Sequence, residues 1–260
     1  MIFFNQANLF VFLMLILSSS AAAMPMENET GPMAETIEGA RHYFPDDVGL
    51  EWRYSGSIAD QVQRVSTYTN VTKVTGTAEK KGERVVVFSE SNPANQGASK
   101  SYFKKDKKGI TYFGGEPTTD FERQMVPYRV ISFPIVLQKP HLQVAKAGLL
   151  YDLDMDGDGI NEQADLFAEI VAVGFETVTT PAGIFPNAIK LQGKMTIGIT
   201  LSRNQKKVEI LDTTTHWFAL GVGMVQGIEK IEFPAVARKA PSGMIITEVL
   251  EKFSTKGPPA

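Results

Sequence analysis

The sequence predicts a mainly β protein, in which an antiparallel meander forms a strongly curved sheet or half-open β-barrel. From residue 41 onward, short runs rich in Val, Ile, Thr and aromatic residues alternate with turn signals. Helical periodicity is rare, and one run of twelve residues alternates between apolar and polar side chains. Such a sheet must curl, close or be covered, because its apolar face has to leave water.

The first 23 residues have the layout of a secretory signal peptide. Residues 9–17 form an apolar run, and Ala21 and Ala23 fit an A-x-A cleavage site before Met24. The region before the run lacks Lys and Arg, which departs from the usual pattern. The alternative is a membrane anchor, but the run is shorter than the about 20 apolar residues of a spanning helix. We therefore expect export, to the periplasm or outside the cell, with no stable membrane span after cleavage.

The rest of the chain is predicted to form a single β domain at residues 41–254. A polar segment with Gly and Pro (24–40) is a flexible lead-in, and residues 255–260 are a tail. The chain has no cysteine, which excludes thiol chemistry, a Cys-type zinc site and a structural disulfide, and which favours a bacterial source for an exported protein. The net charge of −3 and the absence of a basic run argue against nucleic acid as a partner.

The strand candidates follow one another along this domain, with turn signals between them. Lys107 and Lys108 mark the tip of one hairpin, and polar turns are predicted at residues 80–82 and 202–206. The predicted strands are 61–79, 83–91, 100–106, 109–115, 127–137, 166–179, 190–201, 207–219, 223–233 and 243–253.

Residues 190–201 give the clearest strand. Leu191, Met195, Ile197 and Ile199 share one face, whereas Lys, Gln and Thr side chains occupy the other. A period of two over this length is typical of a long, half-buried strand. Its apolar face either lines an open concave surface or packs into a core.

Residues 152–165, which form a loop inserted in the β domain, place six carboxylates within fourteen residues, where like charges repel one another. From Asp154 the spacing follows D-x-D-x-D-G with an acid at the twelfth position, the pattern of a calcium loop. This spacing winds six to eight hard oxygen ligands around one Ca²⁺ ion. We predict a structural Ca²⁺ site whose ligands are Asp154, Asp156, Asp158, the Ile160 carbonyl, Glu162 and Asp165.

The loop resembles the calcium loops of dockerins, EF-hands and thrombospondin type 3 repeats. Asp165 replaces the usual bidentate Glu, and the flanking segments are strand-like where an EF-hand has helices. A single loop between strands is therefore expected to stabilise the fold, with no opening switch. The alternative is a solvated acidic turn.

Three segments together resemble a group of bacterial secreted proteins and lipoproteins that have no established reaction. They are YFPDDVGLEWRY (43–54), TPAGIFPNAIKL (180–191) and HWFALGVGMVQ (216–226), which fit the pattern YxPxxxGxxWxY … PAGxF … WxAxGVGxV. The resemblance implies a long-stranded, half-open β-barrel, broadly like periplasmic lipoprotein-carrier proteins. The chain departs from the group in lacking a lipid-bearing cysteine and in having Gln226 where Lys is common.

No catalytic constellation is evident in the sequence. The histidines at 42, 141 and 216 lie in dissimilar contexts, and neither a G-x-S-x-G elbow nor a P-loop occurs. Asp212 and His216 fall on the same face of a strand, which is more often a solvated or structural contact than a catalytic pair. We expect a protein without enzyme activity.

Two functions from different classes remain. In the first, the concave apolar face holds a lipid or another apolar small molecule, and the protein is an exported binding or carrier module. In the second, the side chains of the sheet fill the interior, and the protein is a structural or adhesion-type envelope component. The size of an interior apolar cavity discriminates between the two.

Overall fold

The computed structural model describes residues 35–60, 64–91, 98–235 and 243–255, so the predicted signal peptide lies outside the described residues. None of the helices in these ranges has the length and apolar character needed to cross a membrane. In chain order the elements are β1 (Thr36–Ile37), a 3-10 helix (Ala40–Tyr43), β2 (Glu51–Asp60), β3 (Val65–Lys80), β4 (Glu83–Glu90), β5 (Ser99–Asp106), β6 (Gly109–Glu116), α1 (Asp120–Met125), β7 (Tyr128–Ser132), β8 (Ile135–Val136), β9 (His141–Leu150), β10 (Gln163–Thr180), β11 (Gly183–Thr200), β12 (Lys207–Ala219), β13 (Gly223–Glu232) and β14 (Gly243–Ser254).

Twelve strands form one antiparallel sheet in the order β7-β6-β5-β4-β3-β2-β14-β13-β12-β11-β10-β9. Almost every strand pairs with its sequence neighbour, and the pairing of β14 with β2 joins strands from the two ends of the domain. The edge strands β7 and β9 face each other, so the sheet curls into a nearly closed barrel with one unsealed seam. The predicted antiparallel meander in a half-open barrel is confirmed.

Side chains, without a backbone ladder, bridge the seam between β7 and β9. Gln143 Nε2 donates to the Val130 carbonyl at 2.6 Å, and a ring nitrogen of His141 lies 3.3 Å from the Arg129 carbonyl. Each such bond contributes only about 0.5–1.5 kcal/mol net. This part of the wall therefore opens at lower cost than a fully paired strand.

The alternation in β11 has the predicted effect on burial. Leu191, Met195, Ile197 and Ile199 are at most 2 % exposed, whereas the Lys, Gln and Thr side chains between them are half-buried on the other face. Met195, Ile197 and Ile199 belong to the main apolar core, together with residues of β6, β7, β9 and β10. The predicted strand at 190–201 is thus confirmed as part of a longer one.

Separate segments cover the two ends of the barrel. Because alternate strands run in opposite directions, the connection before β2 and the connection after β6 lie at opposite ends. At the first end, Ile37, Ala40 and Tyr43 pack against apolar side chains of β7, β10 and β11. At the second end, α1 packs Phe121 and Met125 into the main core.

Candidate functional site

An apolar cavity of about 180 Å³ lies inside the barrel. Its wall is largely aromatic and includes Trp52, Tyr54, Phe88, Phe103 and Phe218. A single water molecule needs only about 10–15 Å³ of such space. The cavity is therefore an order of magnitude larger than a site for one buried water.

Small side chains on the inner face of β5 help to leave this space open. Ser99, Ser101, Phe103 and Lys105 all line the cavity, because every second side chain of a strand points to the same face. The two serines occupy positions where larger residues would fill the interior. The cavity is thus a consequence of side-chain size at inward positions.

An ion pair lies at the cavity end that the chain before β2 covers. Lys105 Nζ donates to the Phe44 carbonyl at 2.7 Å and pairs with the Asp46 carboxylate. The Lys105 side chain is 13 % exposed, and all three residues line the cavity. This pair neutralises its own charges and holds the covering segment against β5.

Glu90 is a further ionisable group in the cavity wall. Burial raises the pKa of its carboxyl to about 8, and the nearby Glu248 carboxyl adds to the effect. Among the residues that the structure describes, no lysine, arginine or histidine forms an ion pair with Glu90. Glu90 therefore faces the cavity without a compensating cation from the described parts of the chain.

Three buried carboxyls continue from Glu90 along the inner face of the sheet. They are Glu248 on β14, Glu229 on β13 and Asp212 on β12, each at most 9 % exposed, and we call the four residues the carboxyl row. Burial raises the pKa of all three, and repulsion adds to it, from Glu229 at Asp212 and from Glu248 at Glu229. The row favours the protonated, neutral form of its members.

Two glycines flank Glu248 on the neighbouring strands, Gly227 on β13 and Gly56 on β2. A Cβ at Gly56 would lie 2.2 Å from the Tyr68 ring, and one at Gly227 would lie 2.8 Å from His216 Cδ2. Only glycine leaves room for the two rings to lie across these strands. The rings therefore sit beside Glu248 on the inner face.

Two side chains of β3 bind the Glu248 carboxyl. Tyr68 donates its hydroxyl to Oε1 at 3.1 Å, and Asn70 Nδ2 donates to the same oxygen at 3.0 Å. These bonds oppose the effect of burial on the pKa of Glu248, but burial dominates. Glu248 thus accepts two hydrogen bonds, whereas both oxygens of Asp212 and Oε1 of Glu229 have no partner in the described parts of the chain.

Several polar atoms near the row have no hydrogen-bond partner in the described parts of the chain. They are both carboxyl oxygens of Asp212, Oε1 of Glu229, Oδ1 of Asn70 and Nδ1 of His216. Burial also lowers the pKa of His216 to about 4, so its imidazole is neutral at pH 7. A buried polar group without a partner costs about 1–3 kcal/mol, so this region carries unused hydrogen-bonding capacity.

Glu122 shows how a buried carboxyl in this barrel is satisfied when its role is structural. Its side chain accepts hydrogen bonds from the Tyr112 hydroxyl at 2.6 Å, the Gly115 N–H at 2.7 Å and the Thr118 hydroxyl at 2.7 Å. These bonds fix α1 to the end of β6. Asp212 and Glu229 lack a comparable set of partners.

The acidic loop between β9 and β10 brings together three of the six predicted calcium ligands. One carboxylate oxygen from each of Asp154, Asp156 and Glu162 lies within 4.8 Å of the others. The Asp154 carboxylate accepts the backbone N–H groups of Gly157 at 2.7 Å and Gly159 at 2.8 Å. These bonds, with that of Gly159 strongest, lower the pKa of Asp154. Backbone donors therefore offset part of the repulsion among the carboxylates.

The other three predicted ligands have different surroundings. Asp158 Oδ2 accepts the Ser202 hydroxyl at 2.7 Å, across the barrel end. Asp165 lies within β10, where its carboxylate accepts the Gly148 N–H at 3.0 Å. Ile160 is 59 % exposed. The three-carboxylate cluster is thus smaller than the set that the sequence pattern predicts.

Sequence reasoning did not identify the carboxyl row, although the strands carry a signal for it. Glu229 lies two residues before Ile231, and Glu248 lies between Ile246 and Leu250 at a spacing of two. An acid in the apolar phase of an alternating strand faces the interior. Asp212 and His216 do share a face, but Asp212 has no hydrogen-bond partner there, so the two do not form a bonded pair.

No protein-family model and no curated protein matches the chain. Among solved structures, the chain is similar to a candidate lipoprotein from Parabacteroides distasonis, with 16 % identity and a TM-score of 0.38. It is also similar to a candidate exported protein with a YmcC-like fold from Bacteroides fragilis, with 15 % identity and a TM-score of 0.38. Both comparisons cover 82 % of this chain and 98 % of the other.

A LolA superfamily protein from Nitrosomonas europaea gives 9 % identity and a TM-score of 0.24, over 85 % of this chain and 91 % of the other. The TM-scores of these three structures are too low to establish a common fold.

The carboxyl row predicts that the protein loses stability as the pH rises above neutrality. A carboxyl whose pKa is raised in the folded state makes its full contribution to stability at pH values below its ordinary pKa of 4.5. For Glu90 this contribution declines as the pH rises and is lost by about pH 8. His216 acts in the opposite direction, but its contribution changes only between its folded pKa of about 4 and its ordinary value of 6.5. Urea midpoints should therefore fall from about pH 6.5 to about pH 8.5.

Glu90→Gln should reduce this fall in the urea midpoint, because glutamine has no proton to lose. Glu251→Gln is the matched control, since Glu251 pairs with Arg53 on the outer face. Midpoints that stay constant over this pH range, or that fall equally in both variants, would show that Glu90 does not titrate as described.

Proposed function

We propose that this protein is an exported, non-enzymatic binding or carrier module that holds a small apolar or lipid-like molecule inside its barrel. The aromatic cavity is the observation that carries this proposal. Barrel diameter grows with strand number, and a barrel of about eight strands is already wide enough for side chains to fill. Twelve strands enclose more space, and here the covering segments and inward side chains leave part of it open.

The size of the cavity limits the class of ligand. An apolar cavity of about 150 Å³ is large enough to bind benzene, whereas pockets for drug-sized molecules measure about 300–1,000 Å³. A volume of about 180 Å³ suits a single ring or a short section of an acyl chain. The occupant is therefore small or slender.

The seam between β7 and β9 supplies an entrance. A second cavity of about 220 Å³ lies at the seam, where its lining includes Lys139 and His141. It shares Ile131, Ile170 and Leu191 with the wall of the interior cavity. These three side chains border both spaces. Among the described residues, side-chain hydrogen bonds bridge β7 and β9 beside them, and a single backbone bond from the Gln138 N–H to the Ala172 carbonyl lies at the edge of the second cavity. A ligand can pass there without breaking a backbone ladder.

Export is supported by the signal peptide that residues 1–23 predict. The alternative, a structural or adhesion-type envelope protein with a filled interior, is favoured by the segments that cover both barrel ends. Ligand binding decides between the two.

Filling the cavity should block the binding of an apolar probe. Toluene, a single ring with one methyl group, should bind the wild-type protein saturably and with one site in isothermal titration. Ser101→Leu places added methyl groups in the cavity and should weaken binding about tenfold or more. The same variant should unfold at a higher temperature, because it fills an apolar space.

Lys100→Leu is the matched control, since Lys100 precedes Ser101 on β5 and its side chain is exposed on the opposite face. It should bind the probe like the wild type. If wild-type protein takes up no probe, or if Ser101→Leu binds it unchanged, the interior is not a ligand compartment and the envelope-protein alternative is favoured.

We also propose that the acidic loop binds Ca²⁺ as a structural ion, with Asp154, Asp156 and Glu162 at its centre. Carboxylate oxygens are the hard ligands that Ca²⁺ prefers, and these three already lie close together. Asp152, just before the cluster, accepts the Phe121 N–H at 2.9 Å. An ion in the loop would therefore stabilise the barrel end that α1 covers.

Calcium should raise the melting temperature relative to a chelator. Binding to the folded state alone stabilises it by about 2.7 kcal/mol at a hundredfold excess over Kd. Asp156→Asn should remove most of the shift. Asp165→Asn is the matched variant and should keep it, because that carboxylate binds the Gly148 N–H and lies 3.6 Å from Lys207 Nζ.

Scanning calorimetry should measure the melting temperatures of the wild type, Asp156→Asn and Asp165→Asn, each with calcium and with chelator. Identical wild-type curves in both conditions would identify the loop as an acidic turn held by backbone donors. If Asp165→Asn loses the calcium-dependent shift in melting temperature, Asp165 is a ligand, as the twelve-residue sequence pattern predicts.

A further inference from the structure

The aromatic cavity and the carboxyl row meet at Glu90. Glu90 lines the cavity, and the nearby Glu248 carboxyl adds to the effect of burial in raising the pKa of Glu90. The other charged residues in the cavity wall, Lys105 and Asp46, neutralise each other. Among the described wall residues, Glu90 is therefore the carboxyl whose charge, once it loses its proton, no cation balances.

The unpartnered atoms around the row are mainly oxygens, which act only as hydrogen-bond acceptors when the carboxyls are ionised. Asp212 presents two such oxygens, Glu229 presents Oε1 and Asn70 presents Oδ1. Asp212 is 1 % exposed and Asn70 is fully buried, so bulk water does not reach them. The group that complements such a set carries several N–H donors and a positive charge. An ammonium group has three donors and no acceptor.

A compact metal site does not explain the row. Within the described ranges, only Asp154, Asp156 and Glu162 bring three ligand atoms within 4.8 Å of one another, and they lie in the acidic loop. The row is instead spread over the neighbouring strands β12, β13 and β14 and over β4, which β2 and β3 separate from β14. An organic cation is larger than a metal ion and can bind one or two carboxyls at its edge.

The aromatic wall favours the same class of ligand. Trp52 and Tyr54 line the cavity beside Glu90, and aromatic faces attract cations through their quadrupoles. The remaining wall is apolar and suits a hydrocarbon chain. An anionic headgroup, by contrast, would be repelled by the row whenever one of its carboxyls is ionised.

We propose that the ligand is a cationic amphiphile, whose apolar part fills the aromatic cavity and whose ammonium group binds at Glu90, beside Glu248. This inference rests on the proposed function, because it names the chemical class of the molecule held inside the barrel. The ammonium charge replaces the proton that Glu90 otherwise retains. Binding of the cation near neutral pH therefore releases a proton from the protein.

Octylamine, octanol and octanoate share one chain and differ only in their headgroup. Isothermal titration at neutral pH should show octylamine binding about tenfold more tightly than octanol, and octanoate binding most weakly. The measured heat for octylamine should depend on the ionisation enthalpy of the buffer, because a proton is released. The heat for octanol should not.

Two substitutions test the position of the ammonium group. Glu90→Gln and Glu248→Gln should each reduce the preference for octylamine over octanol. In Glu90→Gln the ratio of the two dissociation constants should be close to one. Glutamine keeps an oxygen that can accept the Tyr68 and Asn70 hydrogen bonds to residue 248. Glu251→Gln, on the outer face, should leave the preference unchanged. Circular dichroism confirms that each variant is folded before binding is compared.

The outcomes separate this inference from the proposed function. If octanol binds as tightly as octylamine, or octanoate binds most tightly, the cationic class is wrong while apolar binding stands. If octylamine keeps its preference in both Glu90→Gln and Glu248→Gln, the ammonium group does not bind at the row. If none of the three compounds binds, the proposed function itself fails.

Discussion

The inward-facing side chains of the twelve-stranded sheet share one interior, because the sheet is almost closed on itself. This constraint shapes the rest of the molecule. The interior of a barrel this wide is too large for its own side chains to fill evenly. The 3-10 helix and α1 cover the two ends, and apolar residues of β11 pack the main core. The small inward residues Ser99 and Ser101 leave an open space between these regions.

The same closure makes the carboxyl row energetically unfavourable, because it removes Glu248, Glu229 and Asp212 from bulk water and half-buries Glu90. Burial of such groups without good partners lowers stability, and apolar residues of similar size are often at least as stabilising. Glu122 shows that the barrel can provide a complete set of donors where a carboxyl is structural. Asp212 and Glu229 lack such a set in the described parts of the chain, so packing alone does not account for them.

Local patterns in the sequence predict most of the long strands, because alternation within one strand determines which side chains are buried. The strands β2 and β9 are not among the predicted ones. The apolar face of β11 is an example. The cavity is not predictable in this way, since it depends on the summed volume of residues from many strands, such as Trp52, Ser101 and Phe218. The short helix α1 also escaped prediction, although Thr119 accepts the Glu122 N–H at 3.0 Å as its cap.

The acidic loop shows the same limit. The spacing between Asp154 and Glu162 predicts their proximity, whereas the bond from Ser202 to Asp158 joins residues 44 positions apart.

A crystal structure of the protein soaked with bromooctane tests most directly whether the interior is a ligand compartment. Bromine scatters anomalously, so its position can be located independently of the protein atoms. We expect an anomalous peak inside the barrel, within contact distance of residues such as Trp52 and Phe103. Bromine found only on the outer surface, with side chains occupying the interior space, would contradict it.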